Sequence, residues 1–150
     1  MTDRTWFSRK QGDPVPTIVM EVRGNTAYRQ TFVNQPVNAS NVDTGSPEDY
    51  TGWSEPAFRL TFSDTHGGTE ISGATAVGGT GVMIADATAG KLLIRLSKTQ
   101  TGALQTHLAG KGISSRGSVK ALLYGQDAAG DQQAIFTAEV KVQFGTAASA

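Results

Sequence analysis

Alternation of apolar and polar residues along extended runs is the feature that most constrains how this chain folds. Apolar residues occupy every second position from 134 to 144, and this pattern places Ile135 on the opposite, largely polar face. Since successive side chains of a β-strand point to opposite faces, residues 132–144 predict a strand with one buried face. Residues 117–126 predict its partner, and residues 127–131, Asp-Ala-Ala-Gly-Asp, predict the loop of a hairpin.

Shorter β-rich runs fill most of the remaining chain. They occur at residues 5–10, 16–23, 26–33, 57–63, 69–77, 81–85 and 91–96, with turn-forming residues between them. The runs 16–23 and 26–33 flank Gly24 and Asn25 and predict a second hairpin. Residues 97–108, with Ser97 as a candidate N-cap, predict one short helix or a pair of turns.

Together these segments predict an all-β fold. Roughly seven to nine short strands with regularly spaced turns are typical of a two-sheet immunoglobulin-like or Greek-key sandwich, here with at most one short helix. We expect residues 1–150 to form a single domain with a long loop at 34–56 and a frayed tail at 145–150. The predicted core consists of Trp6, Ile18, Met20, Phe58, Leu60, Phe62, Ile94, Leu122, Phe136, Val140 and Val142.

Composition excludes several classes of function. Thirteen basic and thirteen acidic residues give no net charge, and without a basic cluster we expect no nucleic-acid partner. The absence of cysteine excludes disulfides and thiol catalysis. No apolar run approaches the roughly 20 residues of a membrane span, and the first residues lack the apolar stretch of a signal peptide. We therefore expect synthesis in the cytoplasm and no membrane partner.

Motifs of catalytic chemistry are weak. Residues 52–56 nearly match a nucleophile elbow, but Pro56 replaces the final glycine and no strand-to-helix setting surrounds it. His66 and His107 stand apart from any matched carboxylate or nucleophile motif, so solvated side chains are the favoured interpretation. The sequence predicts no catalytic residue, no cofactor, no metal site and no enzymatic activity.

The long loop at 34–56 is the main candidate for interaction. A connection of this length is uncommon in a compact domain and is often functional or flexible. We expect this one to be mobile in the free protein and to become ordered against a neighbouring subunit; the alternative is an ordered loop folded over its own sheet edge. Its acids Asp43, Glu48 and Asp49 also allow a calcium site, although their spacing does not match an EF-hand and a solvated loop is favoured. The candidate interface residues are Asn38, Asp43, Glu48, Tyr50 and Trp53.

Several short motifs occur in an order that resembles a known family. They are Arg-Lys-Gln-Gly-Asp at 9–13, Asp-Tyr-Thr-Gly-Trp at 49–53, Ile-Ala-Asp-Ala-Thr-Ala-Gly-Lys-Leu at 84–92, Leu-Ser-Lys-Thr-Gln-Thr at 96–101, and the hairpin loop at 127–131. In this order the chain resembles the small immunoglobulin-like β-sandwich modules of tailed-bacteriophage virions, such as the N-terminal domain of siphophage upper baseplate proteins. It departs from them in its longer loop at 34–56 and at residues 105–116.

The resemblance implies a structural role and brings no catalytic residues. We therefore expect a virion protein of the tail, baseplate or head, made in the host cytoplasm and assembled as a homo-oligomer with other virion proteins. Edge strands, which can pair between chains, suit such an assembly. The alternative is a carbohydrate- or receptor-binding module in which Trp53 and Tyr50 form a stacking platform.

Overall fold

The computed structural model describes residues 4–8, 14–35, 46–64 and 68–145. Within these residues, nine strands form two sheets, and one α-helix connects them. The elements are β1 (Arg4–Phe7), β2 (Thr17–Arg23), β3 (Tyr28–Asn34), β4 (Ser54–Ser63), β5 (Ala76–Val77), β6 (Val82–Asp86), β7 (Lys91–Leu96), α1 (Lys98–Ala109), β8 (Arg116–Gln126) and β9 (Gln132–Gln143). The predicted all-β, two-sheet sandwich is therefore confirmed.

The two sheets differ in size. The first has the order β1-β3-β7-β6, and the second has the order β2-β9-β8-β4-β5. The antiparallel pair β8 and β9 is the longest, with facing residues from Arg116 and Gln143 at one end to Gln126 and Gln132 at the other. The hairpin predicted from the alternating pattern is thus confirmed.

The second predicted hairpin is wrong, because β2 and β3 belong to different sheets. β2 pairs in parallel with β9, and the amide of Gly24 extends this ladder by donating to the carbonyl of Gln143 at 2.8 Å. Asn25 then adopts a φ of 59°, a left-handed conformation that turns the chain toward the first sheet. The Gly-Asn turn connects two layers of the sandwich rather than two neighbouring strands.

Helix α1 joins β7 of the first sheet to β8 of the second. Ser97 and Gln100 form a capping box, in which each side chain accepts a hydrogen bond from the other residue's amide, at 3.2 and 2.7 Å. The buried hydroxyl of Thr101 donates to the carbonyl of Thr26 at 2.9 Å and accepts from its amide at 3.1 Å. The helix is thereby bonded to the β2–β3 turn, and the predicted N-cap is confirmed.

The core lies between the sheets, and Phe136 is at its centre. Its ring, on β9, stacks on Phe32 of the first sheet with centroids 5.3 Å apart and meets the edge of Phe7 at the same distance. All three side chains are buried. Of the predicted core residues, those that the structure buries are Met20, Phe58, Leu60, Phe62, Ile94, Phe136, Val140 and Val142.

Two residues of the β8–β9 hairpin face the opposite way from the prediction. Leu122 is only half-buried on the outer face, whereas its neighbour Leu123 is fully buried. The register shifts between Leu123, which faces Phe136, and Tyr124, which faces Ala134. Ile135 is therefore the extra residue of a β-bulge, and it turns into the core instead of out to solvent.

Smaller corrections concern the chain ends and the run 69–77. Trp6 and Ile18 are only half-buried; Ile18 packs against the core, and Phe7 rather than Trp6 is part of it. The predicted strand 69–77 contains a 3₁₀ turn at Ser72–Ala74 and leaves only the two-residue β5. At the C-terminus, the Gly145 amide donates to the Gln105 side chain at 2.9 Å, while residues 146–150 of the predicted tail lie outside the described residues.

Candidate interaction site

The long loop leaves the sandwich and returns to it at one place. Asn34 belongs to β3 and β4 begins at Ser54, so the loop is shorter than the predicted 34–56. The carbonyl of Asn34 accepts from the amide of Glu48 at 2.9 Å, which joins the two ends of the loop. Gly90 packs beneath this contact with a φ of 67°, and a Cβ there would lie 2.8 Å from both the Asn34 and the Glu48 carbonyl oxygens. This junction therefore requires glycine at position 90.

Tyr50 fixes the returning end of the loop in the core. Its side chain is 1% exposed, and its hydroxyl accepts a hydrogen bond from Nδ2 of the buried Asn34 at 3.0 Å. Its backbone amide donates to the carbonyl of Ala87 at 2.9 Å. The ring of Tyr50 is thus enclosed by its own domain, where it positions the loop without presenting a surface to a ligand.

Trp53 covers Tyr50 from outside. The two rings meet edge to face with centroids 4.9 Å apart, and the indole lies 5.9 Å from the ring of Phe58. Trp53 is half-buried and packs against the core, so it anchors the returning end of the loop. Of the proposed stacking pair, Trp53 is therefore the residue with accessible surface, because Tyr50 has almost none.

The acidic residues of the loop that the structure describes do not form a cluster of metal ligands. The exposed carboxylate of Asp49 accepts from the amide of Thr51 at 2.8 Å, and hydrogen bonds from the Thr51 side chain and backbone lower the pKa of Asp49. Among residues 4–8, 14–35, 46–64 and 68–145, no three His, Asp or Glu side chains are grouped as metal ligands. Asp43, the first of the three predicted acids, lies outside these ranges.

The structure thus brings together three of the five predicted interface residues. Glu48, Tyr50 and Trp53 lie in the returning arm of the loop, whereas Asn38 and Asp43 fall outside the described residues. Sequence reasoning missed Asn34, which bonds both Glu48 and Tyr50. The sequence signal for this role was the position of Asn34 directly after the apolar pair 32–33. An amide that is buried at the end of a strand requires hydrogen-bond partners.

A small charged cluster lies elsewhere, between α1 and β4. Nε2 of the half-buried His107 lies 3.5 Å from Oδ2 of Asp64, and Nζ of Lys111 lies 3.2 Å from the same oxygen. His107 is therefore not the fully solvated side chain that the sequence favoured, while His66 lies outside the described residues. The near match to a nucleophile elbow places Ser54 at the start of a strand, which is not the strand-to-helix turn of that motif.

Asp127 organises the β8–β9 turn, a role the sequence reasoning did not assign. Its carboxylate accepts from the amides of Asp131 at 2.9 Å and Ala129 at 3.0 Å and from the Gln133 side chain at 3.0 Å. These hydrogen bonds, chiefly that from the Asp131 amide, lower the pKa of Asp127. Aspartate after a strand and three residues before Gly130 was the signal in the sequence.

Each sheet also has two outer strands. In the described residues, β1 and β6 are the outer strands of the first sheet, and β2 and β5 are those of the second. An outer strand carries a row of backbone N–H and C=O groups on its free side, and these groups are able to pair with another chain. The edges therefore form a second candidate interaction surface, independent of the long loop.

Comparison with known proteins adds no further assignment. No protein-family model matches the chain, and a search of the curated proteins finds no match. Among the described residues, no helix has both the length and the apolar character needed to span a membrane.

Proposed function

We propose that the protein is a non-enzymatic structural component of a tailed-bacteriophage virion, located in the tail, the baseplate or a head-associated position. It acts there through repeated contacts with copies of itself and with other virion proteins. The observation that carries the proposal is the regular outer strand β2 on a densely packed sandwich, because such an edge is suited to pairing between subunits. The ordered series of motifs that resembles phage β-sandwich modules supports the same role.

The long loop supplies a second contact in this proposal. Its ends are held together by the Asn34–Glu48 hydrogen bond, and Tyr50 fixes the returning arm in the core. A loop held at its base can extend toward a neighbour without disturbing the sandwich, and functional residues are often placed on such loops. Trp53, at the base, offers partly accessible aromatic surface next to it.

Inactivation of the gene in the phage that encodes it tests the proposal. A nonsense codon early in the gene is expected to yield incomplete particles in the electron microscope, and a plasmid copy of the gene is expected to restore complete ones. Normal, infectious particles from the mutant phage would contradict an essential structural role. Binding of the purified protein to a glycan, lost in Trp53→Ala, would instead favour the carbohydrate- or receptor-binding alternative.

A further inference from the structure

Strand β2 is the longest regular edge in the described part of the sandwich. It pairs with β9 without interruption, from Thr17 opposite Thr137 to Arg23 opposite Gln143. The other outer strands are less suited to pairing: β5 has two residues, β1 has four, and β6 contains a register shift. Natural edges are commonly shortened or bulged to prevent association, and β2 has neither protection.

In the described part of the chain, the side of β2 that faces away from β9 carries a row of backbone donors and acceptors. The Thr137 amide donates to the Pro16 carbonyl at 2.9 Å, and the Gly24 amide donates to the Gln143 carbonyl at 2.8 Å. Because alternate residues of a parallel strand bond to the same neighbour, the even-numbered residues from 16 to 24 face β9. The N–H and C=O groups of residues 17, 19 and 21 therefore face away from β9, as does the Arg23 N–H, whereas the Arg23 carbonyl accepts from the Thr26 amide at 3.3 Å. Pro16, which lacks an N–H, is in the inward set and leaves no gap.

An apolar side chain is exposed in the middle of this edge. The odd-numbered residues of β2 are exposed on the outer face of the second sheet. Val19, in the middle of the strand, is 50% exposed, and Val15, just before it, is 37% exposed. The other exposed large apolar side chain among the described residues is Val77 at the opposite edge of the same sheet. Apolar surface is thus concentrated at β2.

We propose that β2 pairs with β2 of a second copy of this chain, antiparallel and about a two-fold axis at Val19. The two five-stranded sheets then form one continuous sheet. Val19 faces the partner's Val19, and Thr17 faces the partner's Glu21, with each facing pair exchanging two backbone hydrogen bonds. This interface deepens the proposed function, on which it rests for its biological setting, by giving the repeated contact a surface.

Charge selects this register over the neighbouring ones. An axis at Glu21 would place two carboxylates face to face, and an axis at Arg23 would do the same with two guanidinium groups; both arrangements are unfavourable. An axis at Met20 would place Val19 opposite a carboxylate and bring the two copies of Glu21 to diagonal positions. With the axis at Val19, the two valines cover each other, and Glu21 lies between Lys141 of β9 and the partner's Thr17.

The same argument favours a second copy over a different protein. A two-fold interface is self-complementary, so a strand that pairs with itself must place compatible residues opposite one another on both sides of the axis. With the axis at Val19, residues 17–21 meet this requirement, since the exposed apolar residue lies on the axis and Glu21 lies away from its own copy. Arg23 lies beyond the paired residues.

Single cysteines test the register, because the chain contains none of its own. Directly opposed, hydrogen-bonded residues have Cα atoms about 5.5 Å apart, within the range that a disulfide bridges. Val19→Cys is therefore expected to form a covalent dimer under mild oxidation. Copies of residue 21 would lie more than about 13 Å apart in this register, so Glu21→Cys is expected to form no covalent dimer. Val77→Cys, at an exposed position on the opposite edge of the same sheet, is the control.

Sedimentation measures the same interface without a cross-link. The wild type is expected to dimerise, and Val19→Lys is expected to weaken the dimer about tenfold or more, whereas Val77→Lys leaves it unchanged. Circular dichroism checks that each variant is folded. A wild type that is monomeric at its highest soluble concentration, or equal cross-linking at positions 19 and 77, would overturn the proposal.

The two proposals fail in different ways. A Val19-linked dimer of a protein that is absent from virions would keep the interface and contradict the proposed function. A virion component that does not cross-link through Val19 would keep the function and contradict the interface.

Discussion

Truncation of Leu123 to alanine tests the packing of the central hairpin. The side chain is fully buried in β8, where it lies between Leu60 of β4 and Phe136 of β9. Removing a buried leucine loses its transfer free energy and leaves a cavity, which together cost about 2–5 kcal/mol. Since domains are stabilised by only about 5–15 kcal/mol, Leu123→Ala is expected to lose a large share of the free energy of unfolding.

The adjacent Leu122 is a matched control. It has the same side chain in the same strand, but it is half-buried on the outer face between Thr61 and Thr137. Leu122→Ala is expected to cost less than about 1 kcal/mol, because its neighbours are already close to solvent. Urea unfolding followed by tryptophan fluorescence gives both values. In thermal unfolding, the midpoint temperature of the Leu123 variant is expected to lie on the order of 10 °C below that of the wild type, for a chain of this length.

The two leucines separate the possible registers of β8. A larger loss for Leu122→Ala than for Leu123→Ala would mean that the strand is turned with its other face to the core. Equal losses would mean that the bulge at Ile135 is placed wrongly. An unchanged slope of the unfolding free energy against urea is needed in each case, because it shows that the same surface is exposed on unfolding.

Three further predictions concern local structure. Gly90→Ala is expected to cost about 1–3 kcal/mol in thermal unfolding, because the new Cβ clashes with two carbonyl oxygens at a φ of 67°. Gly79→Ala, whose Cβ would meet open space, is expected to lose less. Ser97→Ala is expected to lose the N-cap of α1 and about 1 kcal/mol, measured by circular dichroism melting. The pKa of Asp127 is lowered below 3.8 in the folded state, so its contribution to stability is complete above that pH and is lost as the pH falls through the folded-state pKa. Asp127→Asn is expected to flatten this part of the pH–stability profile, and an identical slope in both proteins would contradict the assignment.

Local patterns predicted the elements better than their partners. The alternation in residues 134–144 and the capping residue Ser97 each act within one segment; the N-cap is confirmed, and the strand is confirmed except at Ile135. The partner of β2 is set by packing across the whole domain, which a Gly-Asn turn does not reveal. Leu122 was predictable from Lys120, because a lysine two residues away on the same face indicates the exposed side of the strand.

The bulge at Ile135 had no comparable signal. Residues 134–136 are all apolar, so the sequence alone does not show which of them face the core. The pairing of β9 with β8 determines their orientation. At the candidate site, the loop's anchor was predictable from its two large aromatic side chains. The depth of Tyr50 in the core was not predictable, because its hydroxyl receives a hydrogen bond from Asn34, a residue at the end of β3 and distant in the sequence.

Quantitative mass spectrometry of density-purified phage particles tests the central claim most directly. The protein is expected in several copies per particle, in a ratio to the major capsid protein that stays constant through further rounds of purification and through high-salt washes. A protein that is found only in the unassembled fraction of the lysate, or whose ratio declines with each round, would contradict a structural role in the virion.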